Sequence, residues 1–391
     1  MGRIAVLVIN DLVTDNRVAK TCDELRANGH EVTLFGRLLP GSLPIERTYD
    51  VQRFKLPINR GPLFYLVYNL RLFFGLWALK PDGIYVNDVD TGLAALLYRS
   101  FLAIRRNARG AAKHWVSRKT SGAFEKIPIV YDAHELFTEV PELSGRAAVR
   151  WVWSFLERRL VRASSARITV SNAIAVELEA RYTAPFNVVR NIPPPIPDEV
   201  CSPLPSALLH GPYAILQGAG INVDRGGEEL VLAMQYVDEL KLLVVGDGDA
   251  LPAMKQMVAA KGLEQKVVFL PRMPKAELMG YTRRAVFGLA IDKVTNLNYR
   301  YALPNKLFDF IQAGVPVIHA DGEEIAAVVN QFGIGLPIES HQPEHIAKAI
   351  SDAWSDQTRY AQWKENLKKA AESLTWSREK IILEKAIRDA F

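Results

Sequence analysis

The stretch ALPNKLFDFIQAGVPVI, residues 302–318, decides how the chain is read. It opens as a Leu-Pro-Asn-Lys loop, continues as a short amphipathic run and ends in Gly-Val-Pro-Val-Ile. The spacing predicts a helix from about Pro304 and a buried strand after Gly314, which is one turn of a βα repeat. At the start of that helix the first backbone N–H groups lack intrahelical partners, so the junction suits an anion. Lys306 adds a full positive charge, and Asp309, one turn on, shares its helix face. An acid beside a phosphate clamp is poor for phosphate. It suits a diol, because a carboxylate accepts two hydrogen bonds from ribose hydroxyls. The pairing points to a nucleotide diphosphate; the alternative is a surface ion pair between Lys306 and Asp309, worth ~0.3 kcal/mol.

Working outward, the same alternation fills the chain. RIAVLVI reads as a strand, DNRVAKTCDELRANGH as a helix closed by Gly29, and EVTLFG as the next strand. DGIYVND, KIPIVYDAHE, a helix through RWVWSFLERRLVR, and ARITVS follow. Residues 190–205, with six prolines, break the pattern, since proline propagates neither helix nor central strand. Beyond them YAILQGAG, KLLVVGDG, KVVFLPRM, FGLAID and PVIHA restart it, with helices between. The expectation is α/β: two Rossmann-like doubly wound domains facing each other across a cleft, where ligands bind beyond the carboxyl ends of the strands. The divisions are residues 1–190, a Pro-rich linker over 191–210, a second domain over 211–370 and a C-terminal helix over 371–391, packing back on the first domain.

A chain of 391 residues exceeds one core, and 23% charged residues with 49% hydrophobic ones is ordinary for a globular protein. The two cysteines, Cys22 and Cys201, rule out a disulfide framework or a cysteine metal site and fit a reducing compartment. The apolar run of residues 4–9 is short for a signal peptide. Net charge is +5, unevenly spread: residues 1–200 hold 27 Lys+Arg against 20 Asp+Glu, the remainder 21 against 23. A basic half implies an anionic partner: a membrane surface, a phosphorylated substrate or nucleic acid. No aromatic stacking motif accompanies the charge, so nucleic acid is not expected.

In LQGAGINVDRGGEEL, Gly218 and Gly220 let backbone N–H groups approach an anion, and Arg225 can fork onto phosphate oxygens. A tight strand-to-helix turn explains the glycines as well. The dinucleotide fingerprint fails at Val223, and in GDGDAL at Leu251, and no Walker sequence occurs.

In this order the segments resemble glycosyltransferase family 4, retaining enzymes of the GT-B fold, over nearly the whole chain. In the first domain the likeness rests on TDNRVAKTCDELRANGHEVTLFG, YVNDVDTGLAALL, IVYDAHELFTE, ITVSNAIAVELEARY and VVRNIPP. In the second it rests on LQGAGINVDRGGEEL, LLVVGDGD, VVFLPRM and LPNKLFDFIQAGVPVI. The resemblance implies transfer of a sugar from a nucleotide diphosphate donor, UDP- or GDP-linked, without a bound metal or cofactor. It implies an acceptor-binding first domain and a donor-binding second one. It assigns Gly218, Arg225 and Lys306 to the diphosphate, Asp309 to the ribose, and backbone near Arg272 and Met273 to the base, and Asn305 joins the donor-binding set. Three departures stand out: Tyr301 replaces the first acid of the family's E-x7-E motif, Asp309 replaces its Glu, and Ala219 replaces a basic residue. Asn296, Asn298 and Tyr299 lie in the same loop and are candidates for sugar contacts.

His134 follows the strand KIPIVYDA, at its cleft end, where a similarly placed family histidine lies near the donor sugar; the alternative is a structural histidine. Together with Arg225 and Lys306 it is the expected catalytic set, since positive charge stabilises a leaving diphosphate. Asp15 and Arg17, in the first strand-to-helix loop, and Asp88, in NDVDT, are the acceptor candidates. Asp15 fits a helix cap equally well, and Asp88-Val89-Asp90 resembles a metal-binding D-x-D in a setting that argues against it.

The segment LFYLVYNLRLFFGLWALK, residues 63–80, is near the lower length for a membrane span, and its central Arg71 costs roughly 2.5–3.5 kcal/mol on insertion scales. A buried or surface-lying helix is expected. With RRNARGAAKHWVSRKT and RWVWSFLERRLVR, basic residues interleave with Trp, which suits an anionic bilayer. The alternative is a solvated basic face on helices packed against the sheet. The expectation is a cytoplasmic enzyme, peripheral on the inner face of the plasma membrane, with a glycan or lipid-linked glycan acceptor of surface polysaccharide or glycolipid synthesis. A sugar-nucleotide epimerase on the same fold and an inactive nucleotide-sugar-binding scaffold are the rivals.

Overall fold

The structure is a computed structural model that describes residues 2–13, 15–113, 127–194, 203–208, 211–218 and 220–391. Ala219, half of the Pro-rich linker and residues 114–126 of the basic stretch lie outside the described residues. The chain divides into two compact units, Met1–Arg190 with Glu379–Phe391, and Asn191–Arg378.

The first unit holds a parallel sheet of β1 (Arg3–Leu7), β2 (Glu31–Leu38), β3 (Asp50–Lys55), β4 (Gly83–Asn87), β5 (Ile129–Ala133), β6 (Ala166–Thr169) and β7 (Asn187–Val188), in the order β3-β2-β1-β4-β5-β6-β7. Its helices are α1 (Asn16–Ala27), α2 (Gly61–Leu79), α3 (Gly92–Lys113), α4 (Ala147–Ala163) and α5 (Asn172–Tyr182). β4 and β5 are buried at every residue, which helices on both sheet faces demand and which makes them continuous apolar runs. α1 starts at Asp15, whose side chain accepts from the Val18 N–H, and ends before Gly29 at φ +85°. β3, DVQRFK, is an edge strand with no fully buried residue, so its sequence carries no apolar signal.

The second unit repeats the plan with β8 (Tyr213–Gly218), β9 (Lys241–Gly246), β10 (Val267–Leu270), β11 (Phe287–Ala290), β12 (Val317–His319) and β13 (Gly335–Pro337), in the order β10-β9-β8-β11-β12-β13. α6 (Gly227–Ala233), α7 (Leu251–Lys261), α8 (Lys275–Thr282), α9 (Leu297–Tyr301), α10 (Asn305–Gln312), α11 (Glu323–Phe332), α12 (Pro343–Ser355) and α13 (Gln357–Ser373) complete it, and α14 (Trp376–Ala390) follows. α10 is the amphipathic helix expected in the opening stretch; Leu307, Phe308, Asp309, Phe310 and Ile311 are all buried, so its acid enters the core along with its apolar residues. The Phe310 ring lies where a side chain on residue 288 of β11 would stand, so Gly288 is required there.

The tail expected as one helix over 371–391 is two pieces: α13 runs to Ser373 and α14 starts at Trp376. From Glu379 onward α14 belongs to the first unit. The Glu379 carboxylate accepts the Arg190 backbone N–H at 2.7 Å and pairs with its guanidinium at 2.5 Å. Both sheets reverse direction beside their first strand, between β1 and β4 and between β8 and β11, and crevices at such reversals are where doubly wound sheets bind ligands.

Candidate active site

At the β8/β11 reversal the second unit contains a cavity of about 320 Å³ whose lining includes Gln217, Gly218, Arg225, Asp292, Asn305 and Lys306. The β8–α6 loop forms one wall. It is braced by Ile221 N–H on the Asp247 carbonyl at 2.8 Å and Val223 N–H on the Asp249 carboxylate at 2.8 Å. Gly226 turns the chain into α6 at φ +80°, and a Cβ there would press on the Ile291 carbonyl, so the position needs glycine. Lys293 ties the wall to the far side, pairing with Glu229 at 2.6 Å and Asp224 at 3.6 Å.

Two cations enter the cavity. The Arg225 guanidinium stacks on the Tyr299 ring at 4.8 Å and donates to its hydroxyl at 3.2 Å. Lys306, from the first turn of α10, pairs with Asp292 at 2.6 Å, and Arg225 approaches the other Asp292 oxygen at 3.8 Å. The Asn305 side chain accepts from Asn191 at 3.0 Å, which anchors the α10 start. Gly218, Arg225, Asn305 and Lys306, scattered over nearly ninety residues of sequence, are thus brought to one cavity.

Asp309 corrects the expectation from sequence. It does not pair with Lys306; its Oδ2 accepts from Gln217 at 3.1 Å and pairs with Lys275 of α8. Its side chain is 6% exposed and it does not line the cavity. Burial raises its carboxyl above the ordinary value, against the opposing effect of Lys275. Oδ1 is buried without a hydrogen-bond partner among the described residues. Gln217 stands between Asp309 and the cavity, its carbonyl accepting from Thr282 at 2.7 Å. Arg272 is exposed and Met273 packs against the core in the loop after β10; neither lines the cavity.

The loop residues proposed for sugar contacts are spent differently. Asn296 caps α9, accepting from the Tyr299 N–H at 2.9 Å, Asn298 is buried, and Tyr299 supports Arg225. Asp292 was missed in the sequence. The signal for Asp292 was its place: an acid just past a strand at a sheet reversal.

The first unit gathers a second cluster at the ends of β4 and β5. Asp88 holds φ +56°, a strained value for a residue other than glycine, and its Oδ1 accepts the His134 backbone N–H at 2.8 Å. The His134 ring lies between two carboxylates, Nδ1 at 3.5 Å from Asp88 and Nε2 at 3.5 Å from Asp132. Burial alone would lower the imidazole; Asp88 and then Asp132 outweigh it and raise it to about 9. Burial, with the neighbouring Glu135 charge and against His134, raises Asp88 to about 7. Asp90 is buried and pushed well up by burial and then by Asp88.

Arg17, an acceptor candidate in the sequence, is the second residue of α1 and faces inward. Its guanidinium is buried and used up internally, donating to both Asp132 oxygens at 2.7 and 3.1 Å and to the Val189 carbonyl at 2.7 Å. Burial would raise the Asp132 carboxyl, but Arg17 and then His134 hold it below the usual range. Tyr85 donates a further bond to Asp132 at 2.9 Å. The capping alternative holds for Asp15: one oxygen takes the Val18 N–H at 3.0 Å and the other the Asn10 amide at 2.7 Å.

Residues 15–200 match the family described as Glycosyltransferase Family 4, and residues 212–370 match Glycosyl transferases group 1. No curated protein matches the chain in sequence. Among solved structures, sucrose-phosphate synthase of Thermosynechococcus elongatus is similar over 99% of this chain and 98% of its own, with 16% identity and a TM-score of 0.76. HepE of Anabaena, solved in complex with UDP-glucose, is similar over 99% and 100%, with 14% identity and a TM-score of 0.73. WaaG, a glycosyltransferase involved in lipopolysaccharide biosynthesis, is similar over 99% and 99%, with 14% identity and a TM-score of 0.65. Identities this low speak for the fold, and the two family matches, one in each unit, carry the classification. The chain belongs to the GT-B-fold, family 4-type glycosyltransferases.

Proposed function

We propose that the protein transfers a sugar, with retention of configuration and without a metal, from a nucleotide diphosphate donor to a glycan or lipid-linked glycan at a membrane surface. The observation that carries the donor is the convergence of Arg225 and Lys306 on one cavity beside the Gly218 loop. A leaving diphosphate gains negative charge as the sugar bond breaks, so cations that meet it there serve the reaction as well as binding. UDP and GDP are the favoured carriers. In this reading Asn305 and Gly218 offer backbone N–H groups, the loop of Arg272 and Met273 faces the base, and Asp309 acts on the ribose through Gln217, which lies between it and the cavity. His134 keeps a proton through neutral pH and donates it in a hydrogen bond to a sugar hydroxyl or leaving oxygen, with Asp88 orienting its ring.

A thermal-shift screen with UDP, GDP, dTDP, ADP and NAD tests this. One diphosphate at a hundred times its dissociation constant should add about 2.7 kcal/mol to the state that binds it, a shift of several degrees. A response to NAD with silence from the diphosphates would overturn the donor reading.

The membrane rests on α2. Its Phe64, Tyr68, Asn69, Leu72 and Leu76 are buried, with Tyr68 bonded to the Val8 carbonyl and Asn69 to the Asp90 carbonyl at 2.7 Å. The opposite side exposes Leu63, Leu66, Leu70, Phe74 and Trp77, an unbroken i+3/i+4 stripe. α2 is long and apolar enough to cross a bilayer, but its inner side is committed to the sheet. On α4 of the same unit Trp151 and Phe155 are exposed, and the Arg159 guanidinium lies 5.0 Å over the Phe155 ring. Exposed apolar side chains on a unit with excess basic charge fit an anionic lipid surface. The full chain should co-sediment with vesicles containing phosphatidylglycerol and stay free of zwitterionic ones, and L70E/F74E should lose most of that binding. Wild-type protein left in the supernatant with anionic vesicles would end the membrane reading.

A further inference from the structure

The cavity of the second unit contains a charge that the donor reading does not use. Among its lining residues Arg225 and Lys306 are the cations and Asp292 the carboxylate, and the structure gives each cation one Asp292 oxygen. Lys306 is 16% exposed and Asp292 19%, so this is a sheltered contact rather than a loose surface pair. Arg225 is fixed from behind by Tyr299, and its Nε is buried without a hydrogen-bond partner among the described residues. An anionic ligand that takes both cations must first part them from Asp292, and it then has a carboxylate as its neighbour. Like charges at that range repel strongly in a sheltered site. A carboxylate is an acceptor only, so its useful partners are hydroxyl groups.

We propose that Asp292 is an exchangeable counter-ion and a specificity determinant of the donor site. It holds Arg225 and Lys306 in place, yields them to the diphosphate, and then accepts hydrogen bonds from hydroxyls of the group carried on the terminal phosphate. A bare diphosphate meets the repulsion without the hydroxyl bonds, so the site favours a polyhydroxylated diphosphate ester over the free diphosphate. After transfer the same carboxylate reclaims Lys306 and Arg225 and helps expel the product. This inference rests on the nucleotide-sugar reading of the cavity.

The test is calorimetric titration of the full chain, wild type, D292N and D292A, at fixed ionic strength. The probes are inorganic pyrophosphate, UDP, GDP, UDP-glucose and GDP-mannose. D292N keeps the shape and a hydrogen bond to Lys306, and D292A checks that the result does not depend on the amide. We expect both variants to bind pyrophosphate and the preferred nucleoside diphosphate about tenfold more tightly, which is the factor for a 1.4 kcal/mol change. The matching sugar nucleotide should gain much less, so the preference for it over the free diphosphate shrinks. Unchanged or weaker pyrophosphate binding in both variants overturns the counter-ion role. An equal gain for diphosphate and sugar nucleotide overturns the hydroxyl role. Tighter pyrophosphate binding with no preference for any nucleoside diphosphate supports the counter-ion and sinks the donor reading. Failure of every protein to bind any probe sinks both.

Discussion

Replacing Arg225 by Met lowers kcat/KM for the sugar nucleotide by about 10²–10³-fold, the range lost when one preorganised donor is removed from developing negative charge. The side chain is 35% exposed and its contacts are Tyr299 and Asp292, so removing it leaves the core of the second unit intact. Substitutions at such places usually change stability by less than about 0.5 kcal/mol. Melting temperature should therefore stay put while turnover collapses, and that split separates loss of chemistry from loss of fold. Lys306→Met should act similarly, and the double variant should fall short of the product of the two losses, because groups that act as a unit are not additive. Donor hydrolysis without an acceptor is a sufficient readout. A loss below about tenfold in both single variants would mean that the leaving diphosphate is not held by this cavity.

In the first unit the largest effect falls on stability. Arg17→Met leaves the Asp132 carboxylate buried with its main partner gone, and breaking a buried pair from one side costs about 3–5 kcal/mol. For a unit of this size each kcal/mol moves the midpoint by about 2–4 °C, so the first transition should drop by roughly 10 °C. R17M/D132N removes both charges and should recover part of the loss. The His134 proton supplies a second readout. Its imidazole is raised from 6.5 to about 9, so the stability it contributes is complete below pH 6.5 and is lost as pH rises through about 9. Asp132→Asn takes away one of the two carboxylates that hold that proton, and NMR titration of the ring should show it leaving at lower pH. An unchanged melting point in R17M, or an unchanged titration in D132N, would mean that the cluster is not coupled as described.

Both doubly wound units were legible because parallel strands buried on two faces are written as continuous apolar runs, as in β4 and β5. Edge strand β3 has no such run, and its pairing with β2 is a tertiary fact. The residues of the cavity were legible where backbone chemistry demands a residue type: glycine in the β8–α6 loop, a cation at the first turn of α10. Partnerships were not. Lys306 and Asp309 stand three apart, yet each turns to a partner on another element, because α10 is buried nearly all round and its acid points into the interior. Arg17 shows the same limit: sequence shows that a cation follows a strand end, but not that Asp132, on β5, will engage its guanidinium. Asp15, by contrast, was open to either reading, and its cap is a local contact.

The return of residues 379–391 to the first unit bears on how the protein is made. A ribosome releases the N-terminal part first, and domains ordinarily fold in that order. Here the first unit waits for the Glu379 carboxylate that binds Arg190 and for Phe391, whose ring sits against Gly83 and edge-on to His30, until the whole second unit has been synthesised. The nascent N-terminal unit is thus a species missing one helix, exposed for the time it takes to translate some 190 further residues. A gene fragment encoding residues 1–190 alone would freeze that species, and supplying the last helix in trans would show whether it can be completed.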